Sequence, residues 1–329
     1  MSMTTQIVAK VANEIISNLE VETNQDMMIA QTINQDAYEL YLNAKQKFIV
    51  ASNENEIEYS RELFRNAIKI DSSFIEAKLQ LGWTYIGSEL DEKGVDIFYK
   101  SLRQARSFGN KIAEANALHA IGSSIESSKV SIEYLNQSLE LFKELGDLAS
   151  MSMIYQRLGK EYQYYKDSMG IENREKHYKN CILNYNSAMN IQQELGIISW
   201  SLLRDIGNVY RENHQFEESL DYYNNALKIV KEKNNQRALG QLYLQISQIY
   251  RNFGLFDVSN QKAKISLGIT GQLSDNLHKH YAYVTLAKNY RDLGNINEAI
   301  YYINEALVFL KNTTWKSLHF QKREIYTSL

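Results

Sequence analysis

Apolar positions along this chain recur at three- and four-residue spacing, and strand-type alternation is missing. Ile7, Val11, Ile15 and Leu19 make one stripe, with Val8, Ala12 and Ile16 beside it, which predicts a helix over residues 4–20. Residues 22–34 are polar apart from Met27, Met28, Ile29 and Ile33 and read as a linker. From Asn34 the pattern predicts helices in pairs, A then B. The first three pairs fall at about 36–50 and 56–70, 74–88 and 92–107, and 111–126 and 129–145. The fourth falls at about 148–166 and 172–195, and the fifth at about 198–213 and 216–233. The last two fall at about 236–253 and 256–270, and 275–293 and 296–311. Thr313 or Thr314 would then cap a final helix through Trp315, Leu318, Phe320 and Ile325. The chain has no proline, so nothing of that kind interrupts a helix.

The pairs repeat one another. Ile206-Gly207-Asn208-Val209-Tyr210-Arg211, Ile246-Ser247-Gln248-Ile249-Tyr250-Arg251 and Leu286-Ala287-Lys288-Asn289-Tyr290-Arg291 are offset by 40 residues each. Twelve residues after the small one stands another: Ser219, Ser259 and Ala299. Over the whole array the small position of helix A is Ala44, Gly82, Gly122, Gly159, Gly207, Ser247 and Ala287. Helix B carries its own late in each pair: Ala67, Ala105, Ser138, Ala188, Ala226, Ser266 and Ala306. Spacing stays near 40 except for 48 between Gly159 and Gly207, which locates an insertion across Tyr164–Lys176. Helices approach closely only where small side chains meet, and large neighbours then fill the flanks. A fixed period of this length marks a stacked-repeat protein. The expected organisation is an N-terminal helix and linker (1–33), an array of about seven units (34–311) and a C-terminal capping helix (312–329).

Composition adds exclusions. A net charge of −3 and a pI near 6.1 argue against a general nucleic-acid binder. No apolar run approaches the roughly 20 residues that span a bilayer, and Met1–Gln6 lacks the start of a signal peptide. The single cysteine, Cys181, permits no internal disulfide and suits a reducing, cytoplasmic setting. It falls at a small position of helix B, where it acts as a small hydrophobe.

Chemistry-bearing motifs are sparse. There is no phosphate-cradling glycine loop, no HExxH and no paired CxxC. The histidines are scattered, and His278 and His280 diverge on a helix and share no metal easily. Glu217 and Glu218 open a helix, where they suit the N-terminal dipole better than an acid–base role. Tyr85, Tyr162, Tyr210, Tyr250 and Tyr290 stand at packing positions. We expect no catalysis, no cofactor and no metal.

The small–large–small signature of Gly207, Tyr210, Ser219, Tyr223 and Ala226, and of Ala287, Tyr290, Ala299, Ile303 and Ala306, resembles the tetratricopeptide repeat (TPR). The resemblance covers about residues 34–311 and implies an all-α fold, a TPR superhelix or αα-solenoid. Two departures are a period nearer 40 than 34 and the missing proline after helix B. Extended units of this kind resemble those of kinesin light chains and of bacterial peptide-sensing regulators. A second resemblance lies in residues 7–16 and 34–42, which are similar to the segment leading into the TPR region of bacterial multidomain regulators. In those a class III adenylate or guanylate cyclase domain, or a DNA-binding domain, precedes the repeats.

The TPR resemblance implies that helix A residues at −6, −3, +1 and +4 from the small position line an inner groove. In the third unit these are Asn116, His119, Ser123 and Glu126, and in the fourth Met153, Gln156, Lys160 and Gln163. The fifth unit gives Ser201, Arg204, Asn208 and Arg211. The sixth gives Gln241, Leu244, Gln248 and Arg251, and the seventh Tyr281, Val284, Lys288 and Arg291. Arg211, Arg251 and Arg291 form a ladder with Asn208, Gln248 and Lys288 beside it. Amide side chains at such places would hold a peptide backbone, and guanidiniums its carboxylates or free C-terminus. Alternatively, each arginine packs its stem on a neighbouring helix and pairs with Glu212, Asp292 or other local acids. The lysine–asparagine set of chaperone-tail clamps is not reproduced across adjacent units.

The expected function is a non-enzymatic protein- or peptide-binding scaffold, the regulatory module of a cytoplasmic bacterial signalling protein, cyclase-linked if the second resemblance holds. The alternative is a stand-alone peptide-responsive regulator resembling bacterial quorum-peptide receptors. The expected partner is a protein or extended peptide with acidic groups or a free C-terminus, not nucleic acid or a membrane. The stripe over residues 7–19 would dock on the first repeat or pair two copies as a homodimer.

Overall fold

A computed structural model describes residues 34–51, 53–87, 90–125, 127–167, 171–272 and 276–311. The expected N-terminal helix and linker, the pairing assigned to residues 7–19, the capping segment 312–329 and Glu126 lie outside the described residues. Among those described, the chain forms fourteen α-helices and no strand. It divides into two compact units, Met1–Arg157 and Leu158–Leu329.

The first unit contains three helix pairs: α1 (Gln35–Val50) with α2 (Glu54–Ile70), α3 (Ile75–Trp83) with α4 (Asp91–Phe108), and α5 (Lys111–Ser124) with α6 (Ser128–Leu145). Side-chain caps start several of them. The Asn53 carboxamide accepts from the Glu56 amide and donates to its carboxylate, a reciprocal pair at the head of α2. Asn110 accepts from the Ala113 amide at the head of α5. At the end of α4, Gly109 adopts φ 64°, and the next amide, of Asn110, returns to the Ala105 carbonyl. This left-handed stop ends the helix without a proline.

One boundary differs from expectation. The pattern predicts a helix to residue 88, but α3 ends at Trp83. Arg61 of α2, only 1% exposed, donates to the Thr84 carbonyl at 2.6 Å and to Thr84 Oγ1 at 3.2 Å. Its other amine meets Glu54 and Glu58, and its guanidinium lies 4.4 Å from the centre of the Tyr85 ring. A buried fork with these partners terminates α3 early and takes up the carbonyl that the helix leaves open.

Helix α7 (Leu148–Asp167) is followed by the helices of the second unit: α8 (Ile171–Glu194), α9 (Trp200–Glu212), α10 (Phe216–Glu232), α11 (Gln236–Asn252), α12 (Phe256–Gln272), α13 (Asn276–Asp292) and α14 (Ile296–Lys311). The extra residues between Gly159 and Gly207 lengthen helices: α7 has 20 residues and α8 has 24, against 13 and 17 in the next pair. The A–B turns recur with the period. His214, Gly254 and Gly294, forty residues apart, all take positive φ (60°, 75° and 79°).

All seven small positions of helix A are buried, as are all seven late ones of helix B. The reason is visible at the glycines. A β-carbon on Gly207 would stand 2.6 Å from the Tyr223 ring, and one on Gly82 would stand 2.3 Å from Phe98. Serines at the small positions add bonds between helices. Ser219 Oγ donates to the Gly207 carbonyl, Ser259 to Ser247 and Ser266 to Gly240, at 2.7–2.8 Å. Cys181 is buried, as a small hydrophobe at this position should be. Of the five repeat tyrosines, Tyr85 is buried, and the others are half-buried. Tyr210 and Tyr290 stack on Tyr222 and Tyr302 of their partner helices.

Candidate functional site

In the second unit, α9, α11 and α13 are the A helices of three successive pairs. Their −6, −3, +1 and +4 positions carry the polar series. Arg204, Asn208, Arg211, Gln241, Gln248, Arg251 and Lys288 are half-buried, and Arg291 is exposed. Leu244 and Val284, at −3 in the later pairs, are buried and belong to the core.

Two of the three rungs, Arg211 and Arg251, reach forward by one repeat. Arg211 donates to Gln248 Oε1 at 2.6 Å. Arg251 donates to Asn289 Oδ1 at 2.9 Å and to Asp292 Oδ2 at 2.5 Å. Arg291 donates to the other oxygen of Asp292 at 3.0 Å. Asn208 Oδ1 accepts from the Tyr223 hydroxyl at 2.6 Å and from Gln245 Nε2 at 3.0 Å. Arg204 binds Asp205 on its own helix and lies 5.0 Å from the Trp200 ring centre. Lys160 is half-buried on α7, and its neighbour on that helix, Gln163, donates to Glu212 at 2.7 Å. The ladder is therefore a seam: side chains of one A helix are held by acceptors of the next.

Electrostatics follow from this seam. Burial works to raise the Asp292 carboxyl, but hydrogen bonds from Arg251 and Arg291 outweigh it and hold the group below the ordinary carboxylate range. Burial pushes the Tyr223 hydroxyl up to about 12 against the opposing charge of Arg211, so it remains the donor to Asn208. Two buried atoms of the seam, Arg211 Nε and Gln245 Oε1, have no hydrogen-bond partner among the described residues.

Asn116, His119 and Gln156 lie in the first unit, all half-buried. The His119 ring centre is 6.2 Å from that of Trp83. Burial, helped by the Arg157 guanidinium, pushes its imidazole down to about 4. Arg157 itself donates to the Ser123 carbonyl at 2.9 Å.

The offset rule missed Gln245 and Asn289, whereas Asp292, expected as an arginine's local partner, takes both Arg251 and Arg291. Asn289 is fully buried at a position held by Val209 and Ile249 in the preceding pairs. It donates to Ser259 Oγ and Asn260 Oδ1. An amide in an apolar slot, matched by Asn260 where the pair before has Leu220, was the available signal. Among the described residues no cluster of three His, Cys, Asp or Glu side chains is arranged to hold a metal ion. No described helix is long and apolar enough to cross a membrane.

Residues 280–307 match the tetratricopeptide repeat family. The fold is a TPR-type αα-solenoid. No curated protein matches the chain in sequence. Among solved structures the chain is similar to the apo form of RapI, with a TM-score of 0.61 and 13% identity over 84% of this chain and 99% of that one. It is similar to a Rap protein complexed with competence and sporulation factor, with a TM-score of 0.58 and 11% identity over 89% of this chain and 77% of that one. A signal-transduction ATPase with a TPR sensor, from Pyrococcus horikoshii, gives a TM-score of 0.65 and 16% identity. The match covers 90% of this chain and 47% of the ATPase, so this chain spans about half of that protein's length. At identities of 11–16% the shared property is the fold.

Proposed function

We propose that this protein is a non-catalytic scaffold that binds an extended peptide, or an extended segment of a protein, along the A-helix face of its second unit. The observation that carries the reading is the ladder itself. Asn208, Gln248 and Lys288 recur beside Arg211, Arg251 and Arg291 with the 40-residue period, and all but Arg291 are half-buried. A peptide is itself a repeating ligand, and amides at a regular spacing suit its backbone. The arginines favour acidic side chains or a free C-terminus. Arg251 already grips a carboxylate, that of Asp292, and a ligand carboxylate would be the same kind of acceptor.

The scaffold serves, on this reading, as the regulatory or interaction module of a cytoplasmic bacterial signalling protein, cyclase-linked through the resemblance of its N-terminal segment. The ATPase with a TPR sensor supports a modular role, since the match occupies 47% of that chain. A second reading, a stand-alone peptide-responsive regulator, is favoured by the match covering 99% of RapI.

The test is fluorescence anisotropy of labelled peptides with acidic or neutral residues and free or amidated C-termini. Acidic, free-ended peptides should bind, and Lys288→Glu should weaken binding at least tenfold with the circular dichroism unchanged. Equal affinity for all peptides, or for the variant, removes the ladder from the site. Small-angle scattering with and without a bound peptide separates the two readings, since only the regulator changes its dimensions.

A further inference from the structure

The three ladder arginines differ in what stands behind them. Arg251 is braced on two sides. One amine donates to Asn289 Oδ1 at 2.9 Å, and the guanidinium carbon lies 5.7 Å from the centre of the Phe256 ring. Asn289 is fully buried, and its amide nitrogen donates to Ser259 Oγ at 2.7 Å and to Asn260 Oδ1 at 2.9 Å. Both hydrogens of that nitrogen are used there, so the amide oxygen has to face the guanidinium. Ser259 Oγ in turn donates to the Ser247 carbonyl of α11, the helix that carries Arg251. The acceptor of Arg251 is thus fixed from behind by a closed run of buried bonds.

Arg211 has a different backing. One repeat earlier, Ile249 stands at the position of Asn289 and Leu220 at that of Asn260, and both belong to one apolar cluster. Arg211 bonds Gln248 Oε1 instead, at the tip of a longer, half-buried side chain that costs more entropy to hold. The Arg291 side chain is 48% exposed and bonds Asp292, the next residue in the chain. An arginine held by a buried amide presents its other amine at a set position, and a donor ordered in advance loses less on binding. In Arg251 that other amine holds Asp292 Oδ2. Asp292 is the last residue of α13 and 27% exposed, and none of the buried bonds behind Asn289 runs through it.

We propose that Arg251 is the rung at which the ligand's carboxylate binds, in place of Asp292, and that Asn289 and Asn260 are positioning residues that set this choice. The inference rests on the function proposed above and assigns its anionic contact to one position of three. A side-chain carboxylate and a free C-terminus offer the same pair of oxygens to a guanidinium. The ligand is then a peptide with a carboxylate at one fixed place, not an evenly acidic one. Arg211 and Arg291 stand one repeat to either side of that anchor.

Fluorescence anisotropy of the full chain with three labelled peptides tests this. One carries an internal glutamate and an amidated end, one has a free C-terminus as its sole carboxylate, and one is neutral and amidated. The reading is the preference for each carboxylate peptide over the neutral one, and the peptide with the larger preference identifies the source of the carboxylate. Arg251→Gln should lower that preference about tenfold or more, and Arg211→Gln and Arg291→Gln by less than about threefold. Asn260→Leu combined with Asn289→Ile copies the Leu220–Ile249 pair of the preceding repeat, so the circular dichroism and urea midpoint should hold. The preference should still fall about fivefold, which a loss of packing alone would not produce. A preference that survives Arg251→Gln, or falls as far with Arg211→Gln or Arg291→Gln, overturns the assignment and leaves the proposed function standing. An unchanged preference in the double variant overturns the role of Asn289 and Asn260. Equal binding of all three peptides by the unsubstituted chain removes the proposed function and this assignment with it.

Discussion

Arg251 of α11 donates to Asp292 of α13 at 2.5 Å, across 41 residues of sequence, and Asp292 takes a second guanidinium from Arg291. The bond ties two consecutive A helices on the face assigned to the ligand. The two side chains are 22% and 27% exposed, so the pair is worth no more than about 1 kcal/mol. The Asp292 carboxyl is held below its ordinary value, so its share of stability is present above about pH 4 and is lost as pH falls through the carboxylate range. Asp292→Asn should lower the midpoint of urea unfolding slightly at pH 7 and not at pH 3. On the proposed function it should also strengthen binding of an acidic peptide, because Arg251 loses its internal competitor. Weaker binding by that variant would show that Asp292 orients the arginine for the ligand instead.

Gly207 has no room for a side chain. A β-carbon there would meet Tyr223 at 2.6 Å and the Ser219 carbonyl at 3.3 Å. Gly207→Leu should cost roughly 1–3 kcal/mol in a thermal or urea melt. Gly207→Ala should cost less, and Tyr223→Leu in the alanine background should recover part of it. Independent, additive losses in the double variant would mean that the ring is not the obstacle.

Arg61 is the buried cation of the first unit. Its carboxylate partners are well exposed, and the Thr84 hydroxyl keeps its bond to the Leu81 carbonyl, so the larger loss on Arg61→Met is the stranded Thr84 carbonyl, about 2 kcal/mol. Arg61→Lys should recover less than half, because an ammonium cannot serve Thr84 and the glutamates together. Urea unfolding of the two variants makes the comparison, and full recovery by lysine would reduce the site to a simple charge.

His119 gives the first unit a pH dependence. Its imidazole is pushed down to about 4, so the unfolded chain binds more protons between pH 4 and its ordinary value near 6.5. Stability should be full above about pH 6.5 and should decline toward pH 4. His177 and His280 are also lowered by burial and act in the same direction, so His119→Gln should flatten only part of the slope. Urea midpoints at pH 7 and pH 5 measure it; an unaltered slope would place the His119 ring in solvent.

Much of the fold was legible in the residues. Thirteen of the helices start and stop close to where the periodicity puts them, and even the lengthening of α7 and α8 follows from one irregular spacing. The exception, α3, stops because Arg61 reaches it from another helix, which no local pattern records. The candidate site was legible as a row of positions and not as a set of bonds. Arg211, Arg251 and Arg291 lie along the seam between A helices, while Asn289 and Gln245, which bond to Arg251 and Asn208 there, stand off the offsets used.

By itself, then, the sequence determined the repeat, its period, its class and the positions where helices touch. Those depend on the size of side chains such as Gly207 and Ala226, and a steric limit acts the same way in every copy. Only the tertiary structure decided what the long polar side chains hold and which faces are left open. A guanidinium can swing to any of several acceptors, and the one Arg251 takes lies a full repeat away. The same holds at the last helix. Ile300 of α14 is 54% exposed, where Asn260, one repeat earlier, is buried and bonded to Asn289 of the next helix.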